Sequence, residues 1–228
     1  MVRVKICGNT DAEQIAMAVD AGADCVGLVV EYPVPVPWNL SREEAAELLP
    51  LVPPFVSRAV VTGGPAEVVL SIAQLLRPHL IQLHTDNPVE ETARICRELS
   101  RCGIGLIRAL RIDVASGSAG GEVGDPVKAA RALQDTGICG LVVDARTDKL
   151  PAGTGETVDW ALARRIRDSA RVPVILAGGL NPENVREAIL AVRPYGVDVI
   201  TGVESARRVK DPALVREFVR RARVESVQ

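Results

Sequence analysis

Aromatic residues and histidines are scarce in this chain of 228 residues. It contains two tryptophans, two tyrosines, two phenylalanines and two histidines. Five cysteines are spread along it, and no two of them form a C-x-x-C pair. Structural zinc sites need cysteines or histidines at short spacings, so the sequence predicts no metal centre. No G-x-G-x-x-G motif follows a predicted strand, which argues against a dinucleotide-binding Rossmann fold.

Strong charge of either sign and long apolar runs are also lacking. The chain has 27 lysines and arginines against 29 aspartates and glutamates, a net charge of −2. A nucleic-acid-binding surface needs clustered basic residues, so no nucleic-acid partner is expected. No apolar run approaches the roughly 20 residues that cross a bilayer, so no membrane segment is expected. The odd number of scattered cysteines and the absence of an N-terminal signal predict a reduced, cytoplasmic protein.

Short apolar runs rich in β-branched residues alternate with stretches of helical period. The segment CVGLVV at 25–30 is apolar without alternation, which is typical of a parallel strand covered on both sides. Eight such runs are each followed by a predicted helix, and they are 2–6, 25–30, 55–61, 79–83, 104–110, 140–143, 172–176 and 197–200. We expect one α/β domain over 1–228, a closed (βα)8 TIM barrel, with a doubly wound open sheet as the alternative.

The run VKICGNT at 4–10 ends the first predicted strand in a thiol. Cys7 then lies at the C-terminal end of the barrel, where barrels of this kind carry their active sites. Near helix N-termini and a phosphate site, such a thiol ionises readily and can act as a base. The alternative is that Cys7 is a small buried apolar residue. Asn9 or Thr10 is expected to cap the helix that begins near Asp11.

Two loops near the C-terminus are rich in glycine. Gly178 and Gly179 follow the seventh predicted strand, and Thr201 and Gly202 follow the eighth. Glycine lets backbone N–H groups approach an anion closely, and a helix N-terminus adds favourable partial charge. Barrels often bind phosphate between these two loops, so we interpret the four residues as a phosphate site in preference to ordinary turn residues.

Three more polar residues lie at or near predicted strand ends. Asp144 ends the sixth strand, nearly opposite Cys7, where it could supply an acid to complement a thiolate base; a helix or loop cap is the alternative. His84 ends the fourth strand, where both ligand contact and a hydrogen-bonded structural role remain open. Asp198 lies within the eighth strand and needs a partner if buried, so we interpret it first as structural and second as a ligand contact.

Seven segments together resemble one known family, and the resemblance covers nearly the whole chain in order. The family is phosphoribosylanthranilate isomerase of tryptophan biosynthesis. The segments are KICGNT at 5–10, GADCVGLVV at 22–30, IQLH at 81–84, VVDA at 142–145, GTGETVDW at 153–160, LAGGLNPENV at 176–185 and RPYGVDVITGVE at 193–204.

The resemblance implies a (βα)8 barrel that rearranges N-(5-phosphoribosyl)anthranilate to a 1-deoxyribulose phosphate without a cofactor. It implies that Cys7 is the general base taking the proton from C2 of the sugar. It implies that Asp144 is the general acid that protonates the ring oxygen. The phosphate would lie on the Gly178-Gly179 and Thr201-Gly202 loops. A small-molecule sugar phosphate is then the expected partner, and the enzyme is expected to be a monomer or homodimer.

The departures from the family pattern cluster at the predicted barrel mouth. The family usually places an arginine after the second strand to pair with the anthranilate carboxylate, and 30–41 contains none. Arg42 follows just beyond, and Trp38 could instead offer an aromatic face to a different aglycone as a substrate-binding residue. Glu156 stands where a lysine is common, and the loop 113–125 is longer than usual. Two alternatives therefore remain: a divergent paralogue isomerising another aminosugar phosphate, and a non-catalytic sugar-phosphate-binding barrel.

Overall fold

Parallel strands form a closed ring in the computed structural model, which describes residues 1–146 and 156–223. The eight barrel strands within these residues are β1 (Arg3–Ile6), β2 (Cys25–Val30), β3 (Ser57–Thr62), β4 (Leu80–Leu83), β5 (Gly105–Asp113), β6 (Gly140–Arg146), β7 (Val174–Leu176) and β8 (Gly196–Val199). The eight helices of the described residues are α1 (Ala12–Asp20), α2 (Arg42–Leu48), α3 (Ala66–Leu76), α4 (Val89–Arg101), α5 (Pro126–Gln134), α6 (Trp160–Ser169), α7 (Val185–Val192) and α8 (Pro212–Arg223).

The first strand closes the ring because it is hydrogen-bonded on both sides. Lys5 of β1 lies opposite Cys25 of β2 and also opposite Asp198 of β8, in parallel register in both cases. An open doubly wound sheet would leave β1 with a different neighbour or a free edge. The prediction of a (βα)8 TIM barrel is therefore confirmed, and the open-sheet alternative is wrong.

Local sequence signals explain where the first helices begin. Ser41 and Glu44 form a reciprocal capping box at α2, with Glu44 N–H donating to Ser41 Oγ at 3.1 Å. At α1 the cap is Asp11, whose Oδ1 accepts from Gln14 N–H at 2.9 Å, and not Asn9 or Thr10 as expected. The side-chain amide of Asn9 donates instead to the carbonyl oxygens of Ile6 in β1 and Gly27 in β2.

Two of the predicted boundaries that differ from the observed ones have a clear physical cause. The fifth strand continues to Asp113, and its Ile112 forms an antiparallel bridge with Ala119 of the following loop. The loop thus folds back on the strand through backbone hydrogen bonds, although its Ser and Gly content suggested only flexibility. The seventh helix begins at Val185, four residues later than expected, because Asn181 first forms a side-chain-bonded turn.

The apolar core has two layers, as alternation along the strands requires. Ile6, Leu28 and Ile81 point outward and pack with the helices in the larger layer. Each such fully buried side chain contributes roughly 1.5–3 kcal/mol. The smaller layer fills the barrel interior and contains Ile107, Ala109, Val142 and Ala177. These apolar side chains fill the barrel interior, and the polar residues at the strand ends lie above them.

Two small β elements lie outside the barrel, and both affect its mouth. Residues Asn39–Leu40 pair beside β2 and hold the end of the loop that follows it. A short hairpin of Glu204–Ala206 and Val209–Lys210 follows β8. No helix among the described residues is long and apolar enough to cross a membrane.

Candidate active site

A cavity opens at the C-terminal ends of the strands. Of the nine site residues predicted from the sequence, all but Gly202 line it. The barrel topology thus brings together residues separated by almost the whole chain. Two polar lining residues, Tyr32 and Gln82, were not predicted for the site.

Cys7 lies at the floor of this cavity and is 1% exposed. The next residue, Gly8, has a φ of +69°, and a Cβ there would lie 2.9 Å from the Ile200 side chain and 3.1 Å from the Trp38 ring. A glycine is required at this position, because only glycine adopts that φ freely and leaves room for the Ile200 and Trp38 side chains. Burial raises the pKa of the Cys7 thiol above its ordinary value, although the nearby Lys5 ammonium opposes this.

A buried ion pair lies beside the thiol in the barrel interior. Lys5 Nζ lies 2.6 Å from Asp198 Oδ2, and the two side chains are 7% and 6% exposed. Burial alone lowers the pKa of Lys5, but Asp198, Cys7 and Cys25 outweigh it and leave the pKa above its usual range. Lys5 therefore stays charged, and Asp198 has the partner that a buried acid requires.

Asp144 lies at the end of β6 and also lines the cavity. Burial raises the pKa of Asp144 to about 7, with the negative charge of Asp198 as the next cause. Its Oδ1 accepts from the Ala145 N–H at 2.8 Å. A Cβ on Gly178 would lie 3.0 Å from that same oxygen, so the glycine allows the loop after β7 to approach the carboxyl group. A carboxyl group of this kind is partly protonated at neutral pH.

His84 lies next to Asp144 and is neutral. Burial lowers the pKa of His84 to about 3, helped by the positive charges of Arg111 and Lys5. Its Nε2 is 3.4 Å from Asp144 Oδ2, a close polar contact that does not make a hydrogen bond. Its carbonyl oxygen accepts from the Tyr32 hydroxyl at 3.1 Å. The sequence left its role open, and the structure places it in contact with the predicted acid.

The glycine loops after β7 and β8 pack against each other at one wall of the cavity. Gly178 and Gly179 have φ values of +81° and +59°, which favour glycine. Gly202 lies behind this wall, and a Cβ there would fall only 1.9 Å from the Leu180 carbonyl oxygen. Thr201 begins a single 3₁₀ turn whose first residues lie beside the cavity. The two loops are thus held together without side chains between them.

The loop after β2 presents Trp38 to the cavity. Trp38 is 3% exposed, and its Nε1–H donates to Glu204 Oε1 at 2.7 Å. Glu204 also lies 3.5 Å from the buried Lys210 ammonium. Arg42, in contrast, forms a two-point ion pair with Glu31 at 2.7 and 2.6 Å and does not line the cavity. Within residues 1–146 and 156–223, no arginine or lysine lines it.

Several buried polar atoms around the cavity have no hydrogen-bond partner among the described residues. They include Gln82 Oε1, His84 Nε2 and Asp198 Oδ1. Buried polar groups are normally satisfied, so atoms of this kind at a cavity wall suit a hydroxylated ligand. Gln82 could have been found from its sequence position, because it lies two residues before His84 and so on the same face of the strand. Tyr32 lies in an irregular loop and carries no such signal.

The geometry therefore groups a buried thiol, a partly protonated carboxyl group and two glycine loops around one cavity. A family model described as N-(5'-phosphoribosyl)anthranilate (PRA) isomerase matches residues 4–221. The chain belongs to this family. It is accordingly an isomerase, and the resemblance read from the sequence motifs is confirmed.

Relatives of the isomerase match along its whole length. The N-(5'-phosphoribosyl)anthranilate isomerase of Methanopyrus kandleri is 44% identical over 226 residues, which cover 96% of this chain and 98% of the relative. That of Geobacter metallireducens is 41% identical and covers 98% of this chain and 100% of the relative.

Solved structures of the family superpose on the isomerase. The phosphoribosyl anthranilate isomerase of Thermotoga maritima has a TM-score of 0.79 at 35% identity, over 97% of this chain and 98% of that one. A second structure, at TM-score 0.76 and 34% identity, covers the same shares of the two chains. It is a complex with reduced 1-(o-carboxyphenylamino)-1-deoxyribulose 5-phosphate.

Part of one family motif lies outside the described residues. The segment GTGETVDW begins at 153, and only its residues from Glu156 onward are described. Asp159 caps α6, with its Oδ1 accepting from Ala161 N–H at 2.8 Å. Among the described residues no group of three or more His, Cys, Asp and Glu side chains could hold a metal ion.

Proposed function

We propose that the isomerase converts N-(5'-phosphoribosyl)anthranilate to 1-(o-carboxyphenylamino)-1-deoxyribulose 5-phosphate in tryptophan biosynthesis. The observation that carries this proposal is the convergence of Cys7, Asp144 and the two glycine loops on one cavity. The family membership and the whole-length relatives support it. One end of the cavity then holds phosphate, and the base and acid lie on different strands across the ring.

In the proposed mechanism Asp144 donates a proton to the ring oxygen as the bond from that oxygen to C1 breaks. The open-chain iminium that forms makes the C2 proton acidic, and the Cys7 thiolate removes it. The resulting enolamine gains a proton at C1 and loses the proton of its 2-hydroxyl group. These two transfers leave a ketone at C2 and return Cys7 and Asp144 to their starting states.

The surroundings favour the protonation state that this mechanism requires of Asp144, whereas burial raises the pKa of Cys7 and opposes the thiolate. A pKa of about 7 keeps part of the Asp144 population protonated at neutral pH, as an acid must be. Cys7 must lose its proton, and Lys5 is the cation that favours this. The neutral His84 adds no positive charge beside the acid.

The remaining site residues have roles in binding. Gly178, Gly179, Thr201 and Gly202 form the proposed phosphate site, in which backbone N–H groups contact the anion. His84 and Asp198 offer unpartnered polar atoms to the sugar hydroxyl groups.

Trp38 supplies an aromatic wall for the anthranilate ring, held in place by Glu204. Arg42 is excluded as the carboxylate ligand, because its Nε and Nη2 contact Glu31 and its Nη1 contacts Ser71.

A second candidate is isomerisation of a different aminosugar phosphate. It is favoured by the absence of an arginine or lysine among the described lining residues, since an arylcarboxylate usually requires such a partner. This candidate keeps the roles of Cys7 and Asp144 and changes only the group attached to nitrogen.

The test is turnover of freshly generated N-(5'-phosphoribosyl)anthranilate, followed by loss of its anthranilate fluorescence. We expect turnover in the wild type and a loss of at least about a hundredfold in both Cys7→Ala and Asp144→Asn. Circular dichroism and the thermal midpoint of each variant show that it is folded. Turnover that survives Cys7→Ala rejects the mechanism. A folded wild type that binds ribose 5-phosphate without converting the anthranilate compound favours the second candidate or a non-catalytic barrel.

A further inference from the structure

The proposed mechanism names Lys5 as a cation that favours the Cys7 thiolate, but it gives the Lys5–Asp198 pair as a unit no part in the two proton transfers. Lys5 and Asp198 lie in the barrel interior, 2.6 Å apart, and both are more than nine-tenths buried. Removing two charges from water is costly, and a well-packed apolar pair would often be as stable or more stable. A pair in this position therefore suggests a use other than stability.

The backbone register orients the pair with respect to the site. Lys5 and Cys7 occupy alternate positions along the first strand, so their side chains point to the same side. Gly27 of β2 makes room for both: a Cβ there would lie 2.6 Å from Cys7 Sγ and 3.0 Å from Lys5 Cε. Asp198 lies on the opposite neighbour of β1 and lines the cavity with its second oxygen unpartnered.

We propose that Lys5 and Asp198 are positioning residues that divide their charges between the two reacting groups, with the ammonium acting mainly on Cys7 and the carboxylate mainly on Asp144. This inference rests on the proposed function. The pair then favours a thiolate on one side of the substrate and a neutral acid on the other. A single charge placed at the same point would help one of these groups and hinder the other.

The electrostatic surroundings agree with this division. Apart from burial, the largest influence on the pKa of Cys7 is Lys5, which lowers it. Apart from burial, the largest influence on the pKa of Asp144 is Asp198, which raises it. Each partner of the pair also acts in the opposite sense on the other group, but more weakly.

Other charged groups face the two reacting residues and define the background. Lys210, from the hairpin after β8, also lowers the pKa of Cys7. On the side of Asp144 are Arg111 from β5, which lowers its pKa, and the neutral His84 from the end of β4. None of these is changed in the variants below, so differences between variants report on the pair.

The experiment titrates Cys7 directly, without substrate. Thiolate ultraviolet absorbance is recorded against pH, and the same titration of the Cys7→Ser variant of each protein is subtracted to remove the other four cysteines. Four proteins are compared: wild type, Lys5→Met, Asp198→Asn and the double variant Lys5→Met/Asp198→Asn. The double variant leaves no unpaired buried charge, so it keeps the test available if a single variant does not fold.

Arg3→Met is the matched control. It removes a cation from the same strand, but Arg3 pairs with Asp24 at the exposed end and is not among the groups that act on Cys7. We expect the Cys7 midpoint to move up by about one pH unit in Lys5→Met and by less in the double variant, and to stay unchanged in the control.

The pH dependence of kcat/KM supplies the second readout. In the double variant we expect the alkaline limb, set by Cys7, to move to higher pH and the acid limb, set by Asp144, to move to lower pH. The plateau of kcat/KM between the two limbs should fall about tenfold. A folded double variant with an unchanged Cys7 midpoint and unchanged limbs overturns the inference while leaving the isomerase function intact. A shifted midpoint in a protein that never turns over the anthranilate compound rejects the proposed function and keeps the role of the pair.

Discussion

Burial is the dominant influence on both proposed reacting side chains. Cys7 is 1% exposed, and burial raises the pKa values of both Cys7 and Asp144. Burial favours the neutral form of each group, which suits the acid and opposes the base. Only a minority of molecules then hold the thiolate and the protonated carboxyl group together at any pH.

This minority state has a distinct kinetic signature. Between pH 7 and the higher pKa of Cys7, each rise in pH gains thiolate and loses neutral acid in equal proportion. We therefore predict a level kcat/KM in this range, falling below about pH 7, where Asp144 is fully protonated and thiolate is still being lost. It falls again above the Cys7 pKa, where thiolate is complete and the acid is still being lost.

The variant Asp144→Asn shows whether Asp144 causes the decline of kcat/KM at the alkaline end of the profile. With the acid removed, residual kcat/KM should rise with pH through the Cys7 titration and show no decline at the alkaline end. A bell-shaped profile that persists in this variant would mean that another group supplies the proton. The profiles are measured at substrate concentrations well below KM, where kcat/KM reports the free enzyme.

At the scale of elements, Trp38 in the loop after β2 lines the cavity, whereas Arg42 at the start of α2 does not. We predict that Trp38→Ala raises KM about tenfold, because it removes the aromatic wall of the cavity, and also costs about 3–5 kcal/mol of stability. Trp38→Phe keeps an aromatic face but loses the hydrogen bond to Glu204, so its KM should lie between those of the wild type and of Trp38→Ala.

Arg42→Ala is the matched control in the same loop region. Its ion pair with Glu31 is partly exposed, so its loss should cost no more than about 1 kcal/mol and leave KM within about twofold. A large rise in KM for Arg42→Ala, with Trp38→Ala near wild type, would reverse the two assignments.

The contact between the two glycine loops is a second property of elements. A Cβ on Gly202 would overlap the Leu180 carbonyl oxygen at 1.9 Å, and backbone on both sides must move to accommodate it. We predict that Gly202→Ala weakens inhibition by inorganic phosphate about tenfold, because it separates the loops that form the proposed phosphate site.

Gly124→Ala provides the comparison for that variant. Gly124 has no positive φ, and a Cβ there meets nothing within 4 Å. Phosphate inhibition and the thermal midpoint should both stay near wild type. Equal effects of the two substitutions would show that the loss comes from replacing glycine in general and not from the loop contact.

At the scale of the whole molecule, Asp144 and His84 act on stability in opposite directions. The folded pKa of Asp144, about 7, lies above its unfolded value of about 3.9, so its contribution is present below the lower value and lost as pH rises through 7. The folded pKa of His84, about 3, lies below its unfolded value of about 6.5, so its contribution is lost as pH falls from 6.5 towards 3.

These two dependences nearly offset each other in the wild type between about pH 4 and 6.5. We predict that His84→Gln makes the free energy of unfolding fall with rising pH in this window, by an amount on the order of a few kcal/mol. Asp144→Asn should give the opposite slope. Urea unfolding at a series of pH values measures both. Parallel slopes in the two variants would contradict the assigned protonation states.

Much of the barrel could be predicted because its signals are local. The unbroken apolar run in β2 indicated a strand covered on both faces, and the Ser41–Glu44 spacing indicated a capping box. Predictions failed where a tertiary contact decided the outcome. Asn9 was expected to cap α1, but it is fully buried and donates to the carbonyl oxygens of Ile6 at the end of β1 and of Gly27 within β2.

Most of the predicted residues line the cavity, but the charges around them were not predicted. Cys7, Asp144 and the glycine loops lie at strand ends, and the barrel order by itself directs strand ends to one mouth. Nothing in the spacing of Lys5 and Asp198 shows that they lie 2.6 Å apart, since 193 positions separate them. The same holds for Trp38 and Glu204, whose hydrogen bond joins the loop after β2 to the hairpin after β8.

The sequence by itself determined the eight-fold alternation of strands and helices and the strand ends at which the polar residues gather, because apolar period and turn chemistry act over short distances. The tertiary structure alone decided which side chains meet, how deeply each is buried and which of them carry charge. Protonation depends on the distance to charges on other strands and on exclusion of water, and both exist only once the ring of strands has closed.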